Sequence, residues 1–350
     1  MSYLPRDHAR RTSAEVLFDG FFSGTGQVQS FRECYVRLTG DTRLTGKLEN
    51  CNLERMREAL GADSLTSALG DAVHRKMVAE YRGQGRYAVW RKLATIGNVA
   101  DFRTQHRVRW GGYGDLPAVG EGQAYPALQS PADESASYAV TKRGGHETIT
   151  LEMIRNDDVG VIRSIPKRFA QTAHRTLSHF VLNFLRDNGA IYDALPLFHV
   201  DHGNLGSGLL SAASLKQGRV AMQRQRELGS GDPLGIVPRF LWVPVDLEET
   251  AANLFRRAAN QDKTFVQGLD IEVVPVWYWD DANDWCLSAD PSSCPTIEVG
   301  FLDGQEEPEV VIQDSPVIGS MFSNDQVTLK IRHVYGGAVT DSRGLYKSAN

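Results

Sequence analysis

The residues best suited to chemistry lie in FHVDHGN, where His199, Asp201 and His202 offer the donor types that hold Zn²⁺ or Fe²⁺. A metal-dependent hydrolase would use such a His-x-Asp-His site to activate water. The spacing names no third or fourth ligand elsewhere, His174 and His179 stand five apart rather than four, and there is no HExxH. A polar turn bonded to its own backbone explains the same letters equally well. GNLGSG lacks the lysine of a phosphate loop, so its glycines read as turn formers. The pairs Asp157–Asp158 and Asp280–Asp281 fall in turn-like stretches, and no GxSxG elbow or nucleophilic cysteine context is present. The four cysteines, Cys34, Cys51, Cys286 and Cys294, form no CxxC pair and read as reduced thiols. No cofactor motif and no catalytic constellation emerges.

The element that must position everything else is a long helix expected at about Pro166 to Asn188. Proline suits a first turn, and Gly189 suits the stop. Phe169, Ala173, Leu177, Phe180 and Phe184 recur at three- and four-residue steps and mark its core face. Before it, residues 1–50 start basic, pass through an apolar helical patch (Ala14 to Phe22) and read as an arm that packs on something else. Residues 52–81 read as helical, with Gly61 and Gly70 as weak points. After it come a helical stretch at about Ser211–Leu228, a buried strand RFLWVPV, and a helix with Asp246 and Glu249 placed as a capping box. That helix shows Leu247, Ala251, Leu254, Phe255 and Ala258 on one face. The strands IEVVPVWYW, WCLSADP, TIEVGFL, PEVVIQD and QVTLKIRHVY follow.

Between TQHRVRW and the returning strands SYAVTKR and HETITLEM lies a Gly-, Pro- and Ser-rich excursion starting at Gly111. Loops this long inside compact domains are functional or disordered, and a two-stranded ribbon alone is marginal in water. Such an arm needs a partner to lie on. Trp110, Tyr113 and Tyr125 cannot bury themselves on it, which points to contact with a neighbour.

Hydrophobic content of 41% and charged content of 23% describe an ordinary folded soluble chain. No apolar h-region opens it and no run approaches the ~18 residues of a membrane span. The net charge of −5 hides an asymmetry: residues 74–109 carry nine Lys/Arg against two acids, while 246–314 carry sixteen acids against three basic residues. Nucleic acid on the basic stretch is one reading; two surfaces that meet between copies is the better one, since no nucleic-acid motif accompanies the charge.

The order of arm, polar β-excursion, spine helix and α/β half resembles the major capsid proteins of tailed phages with the Hong Kong 97-type fold. The branch it is most similar to holds the Mu-like major head subunit and the capsid part of protease–capsid fusion proteins. PLFHVDHGNLGSG, SAASLKQGRVAMQRQ, PRFLWVPVDLEETA, CLSADP with IEVGFLDGQEEPEV, and the terminal VTLKIRHVYGGAVTDSRGLYKSAN carry the likeness. The resemblance implies an α+β fold divided into an N-terminal arm and helical region (1–107), an extended loop (108–155), a peripheral domain with the spine helix (156–232), an axial domain (233–295) and a C-terminal return to the peripheral domain (296–350). It implies that Trp110, Tyr113, Asp115, Glu121, Tyr125, Lys142 and Arg143 lie on the loop that reaches a neighbouring subunit. It further implies copies assembled as pentamers and hexamers into an icosahedral shell in the host cytoplasm. The expected partners are a scaffold or prohead protease, portal and decoration proteins, and packaged DNA held non-specifically; no membrane, metal or cofactor is expected.

Overall fold

The computed structural model describes residues 12–26, 28–44, 50–60, 65–83, 85–128, 133–150, 152–153, 156, 159–255, 265–313 and 326–350. The basic start, Gly61, the Asp157–Asp158 pair and Ala258 lie outside the described residues. The chain divides into two compact units, each drawn from three separate stretches.

The first unit comprises Met1–Gly85, Lys142–Thr176 and Gln305–Val334. Its helices are α1 (Ser13–Ser23), α2 (Phe31–Thr39), α3 (Leu53–Leu60) and α4 (Leu65–Gly83). Thr12 and Glu15 form a reciprocal capping box that starts α1, and Gly24 ends it in the left-handed conformation. The apolar patch read as an arm packs inside the chain: Phe18, Phe21 and Phe22 share a core with Val73 and Met77 of α4 and with Ile162, Ile165 and Phe169. Phe31 of α2 lies against Phe18 and Phe21 with ring centroids 5.9 and 5.8 Å apart. Arg75 of α4 bonds Glu15 and Asp19 at 3.1 Å each, fixing how α1 lies on α4. Each phenylalanine buried this way contributes on the order of 1.5–3 kcal/mol, more than those ion pairs.

The second unit comprises Arg86–Thr141, Leu177–Gly304 and Tyr335–Asn350. A 3₁₀ helix (Gly85–Lys92) leads into β1 (Ala94–Val99), a strand the sequence patterning did not reveal. β1 runs parallel to β9 (Ile297–Leu302), and β9 pairs antiparallel with residues 335–339, the end of β11 (Gln326–Val339). A second sheet has the order β5 (Leu205–Gly206), β12 (Leu345–Ser348), β8 (Trp285–Ala289), β6 (Pro238–Pro244), β7 (Glu272–Val276). Along β6, Phe240 and Trp242 enter one core with Leu177, Val181 and Leu185, while Leu241 and Val243 enter another with Leu215 and Leu287. Both faces are covered, so the strand reads as one apolar run rather than an alternation.

The long helix, α5, runs from Val159 to Asp187 and contributes residues to both units. It starts a full two turns before the expected Pro166, which sits buried inside it with no N–H to offer Ile162. It stops at Asn188 rather than Gly189. Asn188 takes φ 48°, and its side chain both accepts from the Phe198 amide (2.7 Å) and donates to the Phe198 carbonyl (3.2 Å). Phe169, Ala173 and Leu177 are buried as expected, but the stripe then continues through Val181 and Leu185. Phe180 and Phe184 flank it half-buried, edge to face with one another at 5.4 Å, and Phe180 rests on Tyr335 at 5.3 Å.

Two other boundaries move. The second helical stretch, expected at about Ser211–Leu228, is α6, Ala212–Gln223, with Ser211 as its cap, and residues 225–234 leave it as a bonded turn. Asp246 forms no cap: Val245–Leu247 is a 3₁₀ turn entered from Pro244 without a side-chain bond, and α7 spans Glu248–Phe255. Ala251 is buried there, with Leu247, Leu254 and Phe255 packed beside it.

Candidate functional site

The polar excursion is built on a two-stranded ribbon of β2 (Gln105–Trp110) and β3 (Asp133–Tyr138), with Gln105 opposite Tyr138 and Trp110 opposite Asp133. Alternation gives the ribbon two unlike faces. On the inner face Arg107 Nε donates to Glu298 Oε1 at 2.6 Å, and the Tyr138 hydroxyl donates to the same oxygen at 2.5 Å. Burial and that bond to Glu298 push the Tyr138 hydroxyl upward. Arg109 pairs with the buried Asp341. Arg343 grips Glu134 with both terminal nitrogens, at 2.9 and 2.7 Å, and also bonds Asp341 at 3.1 Å. Burial, followed by the nearby Arg343 guanidinium, lowers Arg109. For Arg343 burial works the same way, but the hydrogen bond and the charge of Glu134, with Tyr192 and Cys294 nearby, together outweigh it and raise the group. Three charged side chains of the ribbon, Arg107, Arg109 and Glu134, and the Tyr138 hydroxyl are thus held by partners far away in sequence. Only the alternation in TQHRVRW hinted that Arg107 and Arg109 share a face; nothing in the sequence pointed to Glu298, Asp341 or Arg343.

The outer face carries His106, Val108 and Trp110, all exposed, opposite Ser137, Ser135 and Asp133. Trp110 is 67% exposed, so packing at the base of the arm does not account for it. Beyond it Tyr113, Leu116 and Tyr125 are exposed at 60%, 80% and 88%, and Asp115 and Glu121 are exposed as well. The excursion leaves the ribbon against the turn after α6: the Gly112 amide donates to the Leu228 carbonyl at 3.2 Å, and a Cβ at Gly112 would run into the Glu227 carboxylate. Lys142 and Arg143 belong to the first unit, on β4 (Thr141–Thr150), Lys142 exposed and Arg143 half-buried.

The His-x-Asp-His stretch forms a self-bonded turn. His202 uses both ring nitrogens, Nε2 toward Asp193 Oδ2 (2.6 Å) and Nδ1 toward the Leu197 carbonyl (3.0 Å). His199 Nδ1 accepts the Asp201 amide at 3.2 Å. Burial opposes ionisation of Asp193, yet the His202 ring and the Leu195 amide hold its carboxyl below the usual range. Asn204, buried, ties the turn by accepting from the His199 amide and donating to the Leu197 carbonyl. Among the described residues no three His, Cys, Asp or Glu side chains are gathered so as to hold a metal ion. Asp281 caps the amides of Asn283 and Asp284, and Asp280 pairs with Arg186. Burial pushes the thiols of Cys34 and Cys286 up to about 12, away from nucleophilic use.

A two-faced ribbon with exposed aromatics has the character of an assembly surface. The family model described as phage capsid protein matches residues 133–348. The chain belongs to the phage capsid protein family. This capsid protein is also similar in structure to the capsid of an empty GTA particle, at 12% identity and a TM-score of 0.51 over 75% of this chain and 90% of that one. Further similar structures come from Mycobacterium phage Adephagia (14%, TM-score 0.48, 75% and 89% covered) and Gordonia phage Cozz (12%, 0.48, 75% and 86%). No curated protein matches. The capsid protein has the α+β, Hong Kong 97-type fold that the sequence resemblance implied, and it is a major capsid protein, a structural component of the phage head. No described helix is long and apolar enough to cross a membrane.

Proposed function

We propose that this major capsid protein closes its shell through the β2–β3 ribbon, whose outer face and the excursion beyond it lie on a neighbouring copy. One observation carries this reading: the charged side chains of the ribbon's inner face are held in partly buried ion pairs, while Val108, Trp110, Tyr113, Leu116 and Tyr125 remain exposed. Aromatic side chains of this size are the usual anchors of protein interfaces, and a pinned root limits the ordering entropy that binding costs. Trp110, Tyr113 and Tyr125 are the apolar anchors, Asp115 and Glu121 the polar rim, and Lys142 and Arg143 a separate contact. Repetition by symmetry makes pentamers and hexamers that close into an icosahedral shell.

In this reading the subunit performs no catalysis. It assembles in the host cytoplasm with a scaffold or prohead protease, joins portal and decoration proteins, and encloses DNA without sequence preference. Negative-stain microscopy with light scattering tests it on the full chain and on a Trp110→Ser/Tyr125→Ser variant. Shells or rings of five and six from the parent, with unassembled but folded variant, are expected. Equal assembly of both overturns the role given to the ribbon.

A further inference from the structure

The spine helix is one-sided in charge. It contains Arg163, Lys167, Arg168, Arg175 and Arg186, and its one acid is the last residue, Asp187, in a chain whose acids outnumber its lysines and arginines by 43 to 38. In the part of α5 that belongs to the first unit, burial takes Ile165, Phe169, Ala170 and Ala173 into the core. What faces solvent is a continuous strip of Lys167, Arg168, Gln171, Thr172, Arg175 and Thr176. Arg168 is engaged by Glu147 of β4. Among the described residues neither Lys167 nor Arg175 has an ion-pair partner.

We propose that this strip is the subunit's contact with the phosphate backbone of nucleic acid, a reading that rests on the chain being a capsid protein. Three features favour phosphate over an acidic face of another copy. Lys167 and Arg175 are eight residues apart, about 12 Å along the axis, and a duplex presents a charge every ~1.7 Å, so the two cations span several phosphates. The side chains between them, Gln171, Thr172 and Thr176, are neutral hydrogen-bonding groups of the kind that position phosphates without reading bases. From Lys167 to Thr176 no large apolar side chain is exposed, whereas a protein interface carries an apolar centre. The contact is therefore electrostatic and blind to sequence.

The test is fluorescence anisotropy of a labelled 30-base-pair mixed-sequence duplex with the full-length chain before shell closure, between 50 and 200 mM NaCl. A Lys167→Gln/Arg175→Gln variant is compared with the parent, and shell formation by both is followed by negative stain. Two lost phosphate contacts reduce the salt slope by about 1.8, so over this range the parent loses roughly tenfold more affinity than the variant. That result with normal shells is the one expected. Equal slopes, or a parent that does not bind the duplex, overturn the proposal. A folded variant that binds DNA normally and fails to assemble overturns it too and assigns the strip to a second copy. A parent that binds the duplex with the expected slope yet never forms shells or rings would count against the capsid assembly reading while leaving the strip's contact standing.

Discussion

Arg343 and Glu134 are 209 residues apart in sequence and meet as a two-pronged pair, Nη1 at 2.9 Å and Nη2 at 2.7 Å from the two carboxylate oxygens. Their side chains are only 12% and 17% exposed. The pair ties the second strand of the ribbon to the turn before β12, and Asp341 beneath it ties the first strand through Arg109.

Removing one member of that pair strands the other. Arg343→Met is expected to destabilise the second unit by about 3 kcal/mol, and Arg343→Lys by roughly half as much, because lysine cannot make the fork. Urea unfolding of the unassembled chain measures both. A double cycle with Glu134→Gln should return a coupling of about 1–3 kcal/mol; additive effects would show that the pair does not act as a unit.

The ribbon's other face should behave oppositely. Trp110→Ser and Tyr125→Ser touch nothing buried, so stability of the unassembled chain should change by less than about 0.5 kcal/mol. Assembly should suffer. A loss of stability comparable to that of Arg343→Met would mean that these side chains pack within the chain.

Gly144 lies on β4, which pairs with β11, and a Cβ there would run into the Ile331 carbonyl oxygen. Backbone cannot swing aside as a side-chain tip can. Gly144→Ala is expected to cost about 1–3 kcal/mol, whereas Gly145→Ala, with open space around it, should be nearly neutral. Thermal denaturation of the two variants side by side checks the contrast.

Acid should weaken the first unit through His333. Burial pushes its imidazole down to about 4 from 6.5, with the Glu306 carbonyl bond opposing and His174 and Arg143 reinforcing. The folded value lies below the unfolded one, so the unfolded chain binds the extra proton between pH 6.5 and 4. Stability is full above about 6.5 and falls as the pH drops toward 4, by roughly 2–4 kcal/mol from this residue. His333→Gln should flatten that part of the pH profile of the urea midpoint; an unchanged profile would assign the loss to another group, such as His74, which burial also lowers.

Most strands were legible because their apolar runs end at turn residues, as RFLWVPV and TIEVGFL do at β6 and β9. β1 was missed because ATIGNV is short, holds a glycine and follows a 3₁₀ turn without a break. The start of α5 was misplaced because Pro166 looks like a first-turn residue, and helical context overrode that preference. The exposed aromatics of the excursion could be picked from type and surroundings alone. The charged inner face could not, since each of its pairs joins residues that only the fold brings together.

Each unit is threaded from three distant stretches of chain, and this governs how the protein is made. The helices up to Gly85 await Val310 and Leu329 of the stretch Gln305–Val334 to complete their core. At ~5–20 residues per second of synthesis, that is a delay of roughly 10–50 s with the face of α4 that meets Glu309–Ile312 uncovered on the nascent chain. No contiguous fragment holds either unit whole without also carrying part of the other, so truncation libraries should yield insoluble pieces rather than domains. A subunit built this way becomes available to its neighbours only once nearly all of it has left the ribosome, and its demand for chaperones falls before assembly begins rather than during it.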